Sequence, residues 1–323
     1  MSLITTYSRG FFSCCSVKLG YLTEYINKHK TIPDHVDSSA QFTWYKINQN
    51  EDVTFDYFEH YDNINITSIP ISINYHHKDQ FKNYSHLDYK NILPIVKKYF
   101  SPSLQICDII KHIENKYNLD YTNICVLFYR GNDKSTETDL GNYRGYVIHA
   151  NNILKKNPNI NFLIQSDETE FINFMLNVFP NNSFYFKDET RNMRKCKSSV
   201  DILMRNTNYI FSKYFLAITI IMSKCKYIVC GSGNCSIWII FYRGHNNNVY
   251  QYLNGNWLIT DIDNSVKEVG RQPQIMATTT TNLSVNMGRT ISINMPNTSS
   301  SMGMNIGVVN RTMSNTLSMM RLY

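Results

Sequence analysis

The sequence predicts an α/β fold built on open parallel sheets, and three observations carry that prediction. Short apolar runs alternate with segments of helical periodicity along most of the chain. Two of the runs, Asn123–Tyr129 and Ile160–Gln165, are strand-length and show no polar alternation, as strands covered on both faces do. Polar loops follow the runs at their C-terminal ends, which is where the ligand crevice of such sheets lies.

Taken in order, residues 3–8 read as a strand, and Ser8-Arg9-Gly10-Phe11-Phe12-Ser13 as a glycine-containing turn. Val17, Leu19, Tyr21, Leu22, Tyr25 and Ile26 then recur at helical spacing as far as His29. Pro33 ends that helix, and Ile32 to Val36 is the next strand. Residues 40–100 are rich in aromatics and Asn, and no order is assigned to them. Ser101-Pro102-Ser103 starts a helix over 103–118, because Ser caps free amides and Pro suits a first turn. Beyond the strand at 123–129 come a helix over 143–155, the strand at 160–165, a helix from Phe171 to Phe179 and a short strand at 184–187. A helix over 208–224, a strand from Tyr227 to Cys230, the tight loop Gly231-Ser232-Gly233-Asn234 and a helix over 235–243 complete the alternation. From 263 the character changes, and 277–323 is dominated by Thr, Ser, Asn and Met, which predicts a flexible or partner-dependent tail.

Composition narrows the function classes. With 32 basic against 25 acidic residues the net charge is +7, an excess that draws phosphates. No groove-reading motif accompanies it, so nucleic-acid binding rests on charge alone and is ranked low. The one basic run, Arg191-Asn192-Met193-Arg194-Lys195-Cys196-Lys197, is either a solvated loop or a rim that meets an anionic ligand. Eight cysteines show no CxxC pair and no zinc spacing; Cys225, Cys230 and Cys235 fall on an apolar run and are expected as buried thiols. The N-terminus lacks a basic and apolar leader, and no apolar run reaches the length of a spanning helix. The expectation is a cytoplasmic protein with reduced thiols and no membrane span.

Three loops carry the candidate chemistry. Arg130 and Lys134 flank Asp133 on the loop after 123–129; a guanidinium fork matches diphosphate oxygens, and Asp133 can hold either cation. Gly231-Ser232-Gly233-Asn234-Cys235-Ser236 opens a helix, and backbone amides there suit a phosphate, although the loop is neither a Walker loop nor a G-x-G-x-x-G turn. Ser166-Asp167-Glu168 can bond a ribose, a base or the Arg130 side chain. Each has a structural alternative: an ion-paired surface loop, a plain tight turn, and a helix cap by Ser166 or Asp167.

Together these loops resemble a known family. Phe128-Tyr129-Arg130-Gly131-Asn132-Asp133-Lys134 is similar to the His-x-Arg-(Arg/Gly)-x-Asp-Lys motif of the α1,6-, α1,2- and protein O-fucosyltransferases. Gln165-Ser166-Asp167-Glu168 resembles their second motif, and Met222 to Asn234 their third, in the same order and spacing. Arg9-Gly10-Phe11-Phe12 resembles more loosely the turn after their first strand. The resemblance implies a GT-B fold of two Rossmann-like domains facing a cleft, 1–118 on the acceptor side and 119–262 binding the nucleotide sugar, with the tail from 263. It implies inverting, metal-independent transfer from a nucleotide-diphosphate donor, GDP-fucose or a relative, to a glycan or protein acceptor, with no cofactor. Arg130 would bind the leaving diphosphate. Asp133, Lys134, Asp167, Gly231, Ser232, Gly233, Asn234, Ser236, Gly10 and Phe11 would complete the donor site. Phe128 replaces the motif's His, and Ile218 stands where members carry a guanine-reading Asp. These departures support an alternative, a catalytically inactive binding or structural protein. No base is assigned among Asp34, Asp37, Glu51 and Asp52, and oligomeric state is left open.

Overall fold

The structure, a computed structural model, describes residues 2–66, 68–70 and 72–261, together with the backbone of 264–268. The N-terminal β-α-β unit is present: β1 (Ser2–Tyr7), α1 (Phe11–His29) and β2 (His35–Gln41), with β1 and β2 parallel in a two-stranded sheet. Its limits differ from the sequence reading in two places. Phe11, Phe12 and Ser13 belong to α1, not to the turn, because the helix is capped at Gly10. β2 begins at His35 rather than Ile32. Its inward residues include Ser38 and Gln41 as well as Val36, so the apolar alternation that marks a strand is missing there.

The stretch left unordered holds α2 (Thr54–Tyr57), several single 3-10 turns and α3 (Tyr89–Phe100), followed by α4 (Leu104–Tyr117). The second half opens with β3 (Ile124–Tyr129), α5 (Tyr143–Lys156), β4 (Asn161–Ser166), α6 (Thr169–Val178) and β5 (Ser183–Phe184). It continues through α7 (Val200–Leu203), α8 (Asn208–Lys224), β6 (Tyr227–Gly231) and α9 (Asn234–Arg243). A hairpin, β7 (Val249–Leu253) and β8 (Asn256–Asp261), and a last strand β9 (Asn264–Glu268) follow. β9 pairs antiparallel with β8, so the sheet extends into the segment read as tail; residues 269–323 lie outside the described residues.

The large sheet runs β5-β4-β3-β6-β7-β8-β9, parallel through β7 and antiparallel beyond. Alternate residues of β3 enter two separate cores. Val126 and Phe128 join a core that also takes in α1, α3, α4, α8 and α9, while Cys125, Leu127 and Tyr129 pack under α5 and α6. Both faces are therefore covered, which is why β3 reads as a continuous apolar run. The chain passes from β3 to β4 on one side and places β6 on the other, so the strand order reverses between β3 and β6. At such a reversal the loops at the strand ends part and leave a crevice.

Candidate active site

That crevice is present. A cavity of about 460 Å³ lies between the ends of β3, β4 and β6 and the N-terminal half, within the size range of small-ligand sites. Arg130 follows β3 directly, and Asn234 opens α9 just beyond β6, so the strand reversal sets them on the same cavity.

The local structure holds Arg130 from two sides. Its Nη2 meets Asp133 Oδ1 at 3.0 Å, and its Nη1 is ion-paired with Asp167 Oδ2. Burial works against the guanidinium charge, but the facing Cys235 thiol and Asp133 carboxylate more than offset it, leaving the pKa above the ordinary arginine value. Asp167 fixes the loop as well as the cation. Its Oδ1 accepts from the Gly131 amide at 2.9 Å and its Oδ2 from Asn132 Nδ2 at 3.0 Å. Of the roles open to Asp167, support of Arg130 and its loop is therefore the one seen. The helix-cap alternative is not: Glu168 occupies the N-cap of α6 without a side-chain cap bond, and Ser166 Oγ accepts only from the Glu168 amide, at 3.0 Å. Lys134 pairs with Glu137, not Asp133, and lies over the Phe81 ring.

Two helices present their N-termini here. Gly10, Phe11, Phe12 and Ser13 at the start of α1, and Asn234 and Cys235 at the start of α9, line the cavity. Neither helix has a side-chain cap or an acidic residue in its first turn. The Ser13 amide closes on the Gly10 carbonyl at 2.9 Å, while the earlier amides of each first turn have no partner within the helix and the positive dipole ends face the cavity side. A bond from Asn234 Nδ2 to Ser13 Oγ, 2.9 Å, ties the two starts together.

Of the residues expected in the donor site, Arg130, Asp133, Lys134, Asp167, Asn234, Gly10 and Phe11 come together on this cavity. Gly231, Ser232, Gly233 and Ser236 are not on it. Ser232 Oγ donates to the Tyr252 carbonyl at 2.8 Å, the Gly233 amide donates to the Tyr84 hydroxyl at 3.3 Å, and Ser236 is buried toward Tyr84 and Cys230. Gly233 still shapes the site: its φ is +153°, and an added Cβ would stand 3.3 Å from Lys134 Cε. Asp34, Asp37, Glu51 and Asp52 are all off the cavity; Asp37, Glu51 and Asp52 accept nearby backbone amides. Cys225 and Cys230 are buried thiols as expected, whereas Cys235 is partly exposed on the cavity wall.

Sequence reasoning missed several wall residues. Arg191 was flagged only as part of a basic run; it lines the cavity, pairs with Asp201 at 2.6 Å and donates to Asn208 Oδ1 at 2.7 Å. Asp201 also accepts from the Tyr45 hydroxyl at 2.8 Å, so it links the two halves. Glu137 gave no motif signal at all, and Gln165 was read only as the first residue of the second motif. Three amide side chains on the wall each keep one buried polar atom without a hydrogen-bond partner: Gln80 Oε1, Gln165 Nε2 and Asn234 Oδ1. Such atoms are rare in folded proteins.

No family model matches the chain, and no curated protein matches it. Solved structures align with the chain. NodZ α-1,6-fucosyltransferase soaked with GDP-fucose aligns at 9% identity and a TM-score of 0.47, over 84% of this chain and 99% of that one. Fucosyltransferase NodZ from Bradyrhizobium aligns at 8% and 0.45, over 74% and 92%. NodZ α-1,6-fucosyltransferase co-crystallised with GDP aligns at 9% and 0.45, over 74% and 91%. Among the described residues no helix is long and apolar enough to cross a membrane.

Proposed function

We propose that this chain is a glycosyltransferase that holds a nucleoside-diphosphate sugar in the cavity and passes the sugar, with inversion, to an acceptor hydroxyl. The observation that carries the reading is the convergence of Arg130 with two uncapped helix N-termini at the strand reversal. A diphosphate supplies the negative oxygens that this arrangement lacks. As the bond from the anomeric carbon to the diphosphate breaks, charge grows on the leaving oxygen. A fixed guanidinium and aligned amides stabilise it, and removing one such group typically costs roughly 100- to 1,000-fold in rate.

In this reading residues 119–262 hold the donor and residues 1–118 face the acceptor. Asp133 and Asp167 are positioning residues that keep Arg130 aimed. Glu137 takes the general-base role. All five cavity carboxylates are paired, Asp133 and Asp167 with Arg130, Glu189 with Lys116 and Tyr117, Asp201 with Arg191 and Tyr45, and Glu137 with Lys134, so exposure and position decide the choice. Glu137 has half its side chain exposed, beside Lys134 and near Tyr7 of the N-terminal half, where an acceptor would approach. GDP-fucose, the compound soaked into a NodZ structure, belongs to the donor class proposed.

Phe128 and Ile218, both on the cavity wall, favour a second reading in which the chain binds an anionic ligand without transferring anything. Calorimetry with UDP, GDP and ADP, followed by a donor-hydrolysis assay, separates the two. The enzyme reading expects micromolar binding of one nucleotide, at least about tenfold weaker in Arg130→Ala, together with slow release of free sugar from its sugar conjugate. Binding without sugar release supports the second reading. Unchanged affinity in Arg130→Ala rejects both.

A further inference from the structure

The basic run at 191–197 is fixed in place rather than left as a solvated loop. Bonds from its backbone staple it over the loops that carry Arg130 and Asp167. The Met193 amide donates to the Asp167 carbonyl at 3.0 Å, and the Met193 carbonyl accepts from the Thr169 amide at 2.9 Å. The Lys195 amide donates to Glu170 Oε2 and the Cys196 amide to Asn132 Oδ1, both at 2.9 Å. Arg191 and Ser199, on either side, line the first cavity, while Arg194, Lys195 and Lys197 between them are exposed. The chain then turns through α7, where Ile202 and Leu203 are each more than half exposed, as is Ile210 on the first turns of α8. Leu203, Met204 and Arg205 line a second hollow of about 410 Å³. Arg191 and Phe211 line both hollows; the guanidinium lies 5.3 Å over the Phe211 ring and is held by Asp201 at 2.6 Å. Lys195 reaches Glu168 at 3.4 Å, but among the described residues Arg194, Lys197 and Arg205 have no ion-pair partner.

We infer that this surface, from Arg194 to Ile210, docks an acidic segment of a partner protein, with aliphatic side chains of that segment seated in the second hollow. The inference goes beyond the reading of the first cavity and holds whether that cavity transfers a sugar or only binds an anion. From Arg191 to Val200 the sequence carries four cations and no acid, so carboxylates from outside complete the surface. Stapling matters here, because cations held on a fixed backbone cost less to order when a partner arrives. The exposed Ile and Leu decide the kind of partner. An apolar patch rimmed by charge marks an interaction surface. Nucleic-acid phosphates would pair the cations but bring no aliphatic groups to cover Ile202 and Leu203, and bases stack on aromatic rings instead. A lipid surface is entered by an apolar helix face, whereas Leu203 and Met204 line a hollow, which receives side chains.

The test is fluorescence anisotropy on the full chain with a labelled peptide of alternating Glu and Leu, the same peptide with Gln in place of Glu, and a single-stranded oligothymidylate; vesicles containing phosphatidylserine are read by co-sedimentation. The Glu-Leu peptide should bind at least about tenfold tighter than its Gln analogue, by a margin that shrinks as salt is raised. Arg194→Glu combined with Lys197→Glu should weaken it at least about tenfold, and Leu203→Ser at least about threefold, each with a Tm within about 2 °C of the unaltered chain because the side chains are exposed. Equal affinity for the Glu and Gln peptides overturns the docking surface, a comparison that needs no variant to fold. Unchanged affinity in the charge-reversed chain overturns the place assigned to it. Oligothymidylate or vesicles held more tightly than the peptide, and released by the same substitutions, overturn the choice of a polypeptide.

Discussion

Asp167→Ala tests how the site is held. The carboxylate is 10% exposed and sits against a guanidinium that is 21% exposed. It also accepts from the Gly131 amide at 2.9 Å and from Asn132 Nδ2 at 3.0 Å. Removing it strands one side of a mostly buried cation and leaves a backbone N–H unpaired. Breaking a buried pair costs about 3–5 kcal/mol. Partial exposure of Arg130 and its remaining bond to Asp133 bring the expected loss down to about 3 kcal/mol. In a chain of this size that is a fall in Tm of roughly 4–6 °C, or a proportionate shift in the urea midpoint at constant slope. Asp133→Ala is the internal control. Its carboxylate is 30% exposed and bonds only the guanidinium, at 3.0 Å, so it should cost about 1 kcal/mol. Equal losses for the two variants, or a loss below about 1 kcal/mol for Asp167→Ala, would show that the loop is not organised around Asp167.

Three further outcomes follow from packing and titration. A Cβ on Gly131 would run into the Glu168 carboxylate and stand 2.8 Å from the Tyr129 ring, so Gly131→Ala should lower stability by about 2–4 kcal/mol in urea melts. Burial holds the His149 imidazole down at about pKa 4 against an ordinary value of 6.5. The unfolded chain then binds more protons, and stability should fall by about 2–3 kcal/mol as the pH drops from 6.5 toward 4; His149→Leu should flatten that limb of the pH–stability curve. Lys18 is 1% exposed with one long bond to Thr54 Oγ1, 3.3 Å, and burial lowers its pKa to about 8. Stability should rise with pH from 8 to 10.5, and Lys18→Met should add about 2–3 kcal/mol at pH 7, read from the denaturant midpoint.

The parts of the fold legible in the sequence are those where one interaction dominates. β3 is walled in on both faces, so all of its residues are apolar or aromatic, β4 carries the apolar centre Phe162, Leu163 and Ile164, and α8 begins and ends at the expected residues, 208 and 224. β2 was displaced because Ser38 and Gln41 point inward. The hairpin of β7 and β8 went unread although Asn254-Gly255, at φ of 49° and 83°, is a strong two-residue turn signal. Within the site, Arg130, Asp133, Lys134, Asp167 and Asn234 were visible because they cluster on loops at strand ends. Asp201 was not, Arg191 was seen only within a basic run, and Gln165 only at the head of the second motif. The first two reach the cavity only through the irregular stretch between β5 and α8, and Gln165 reads as one more strand residue until its neighbours in space are known.

The core joining the two halves bears on how a ligand gets in. Trp238 of α9 is fully buried between Phe12 of α1 and Phe100 of α3, and its indole N–H donates to Ser16 at 2.9 Å. A clamshell motion about the cavity would pull this seam apart and wet several aromatic rings at once, at a cost well above thermal energy. Entry and exit of any ligand would then rest with local movements of the more exposed lining side chains, Arg9 and Glu137 among them, rather than with an opening of the two halves.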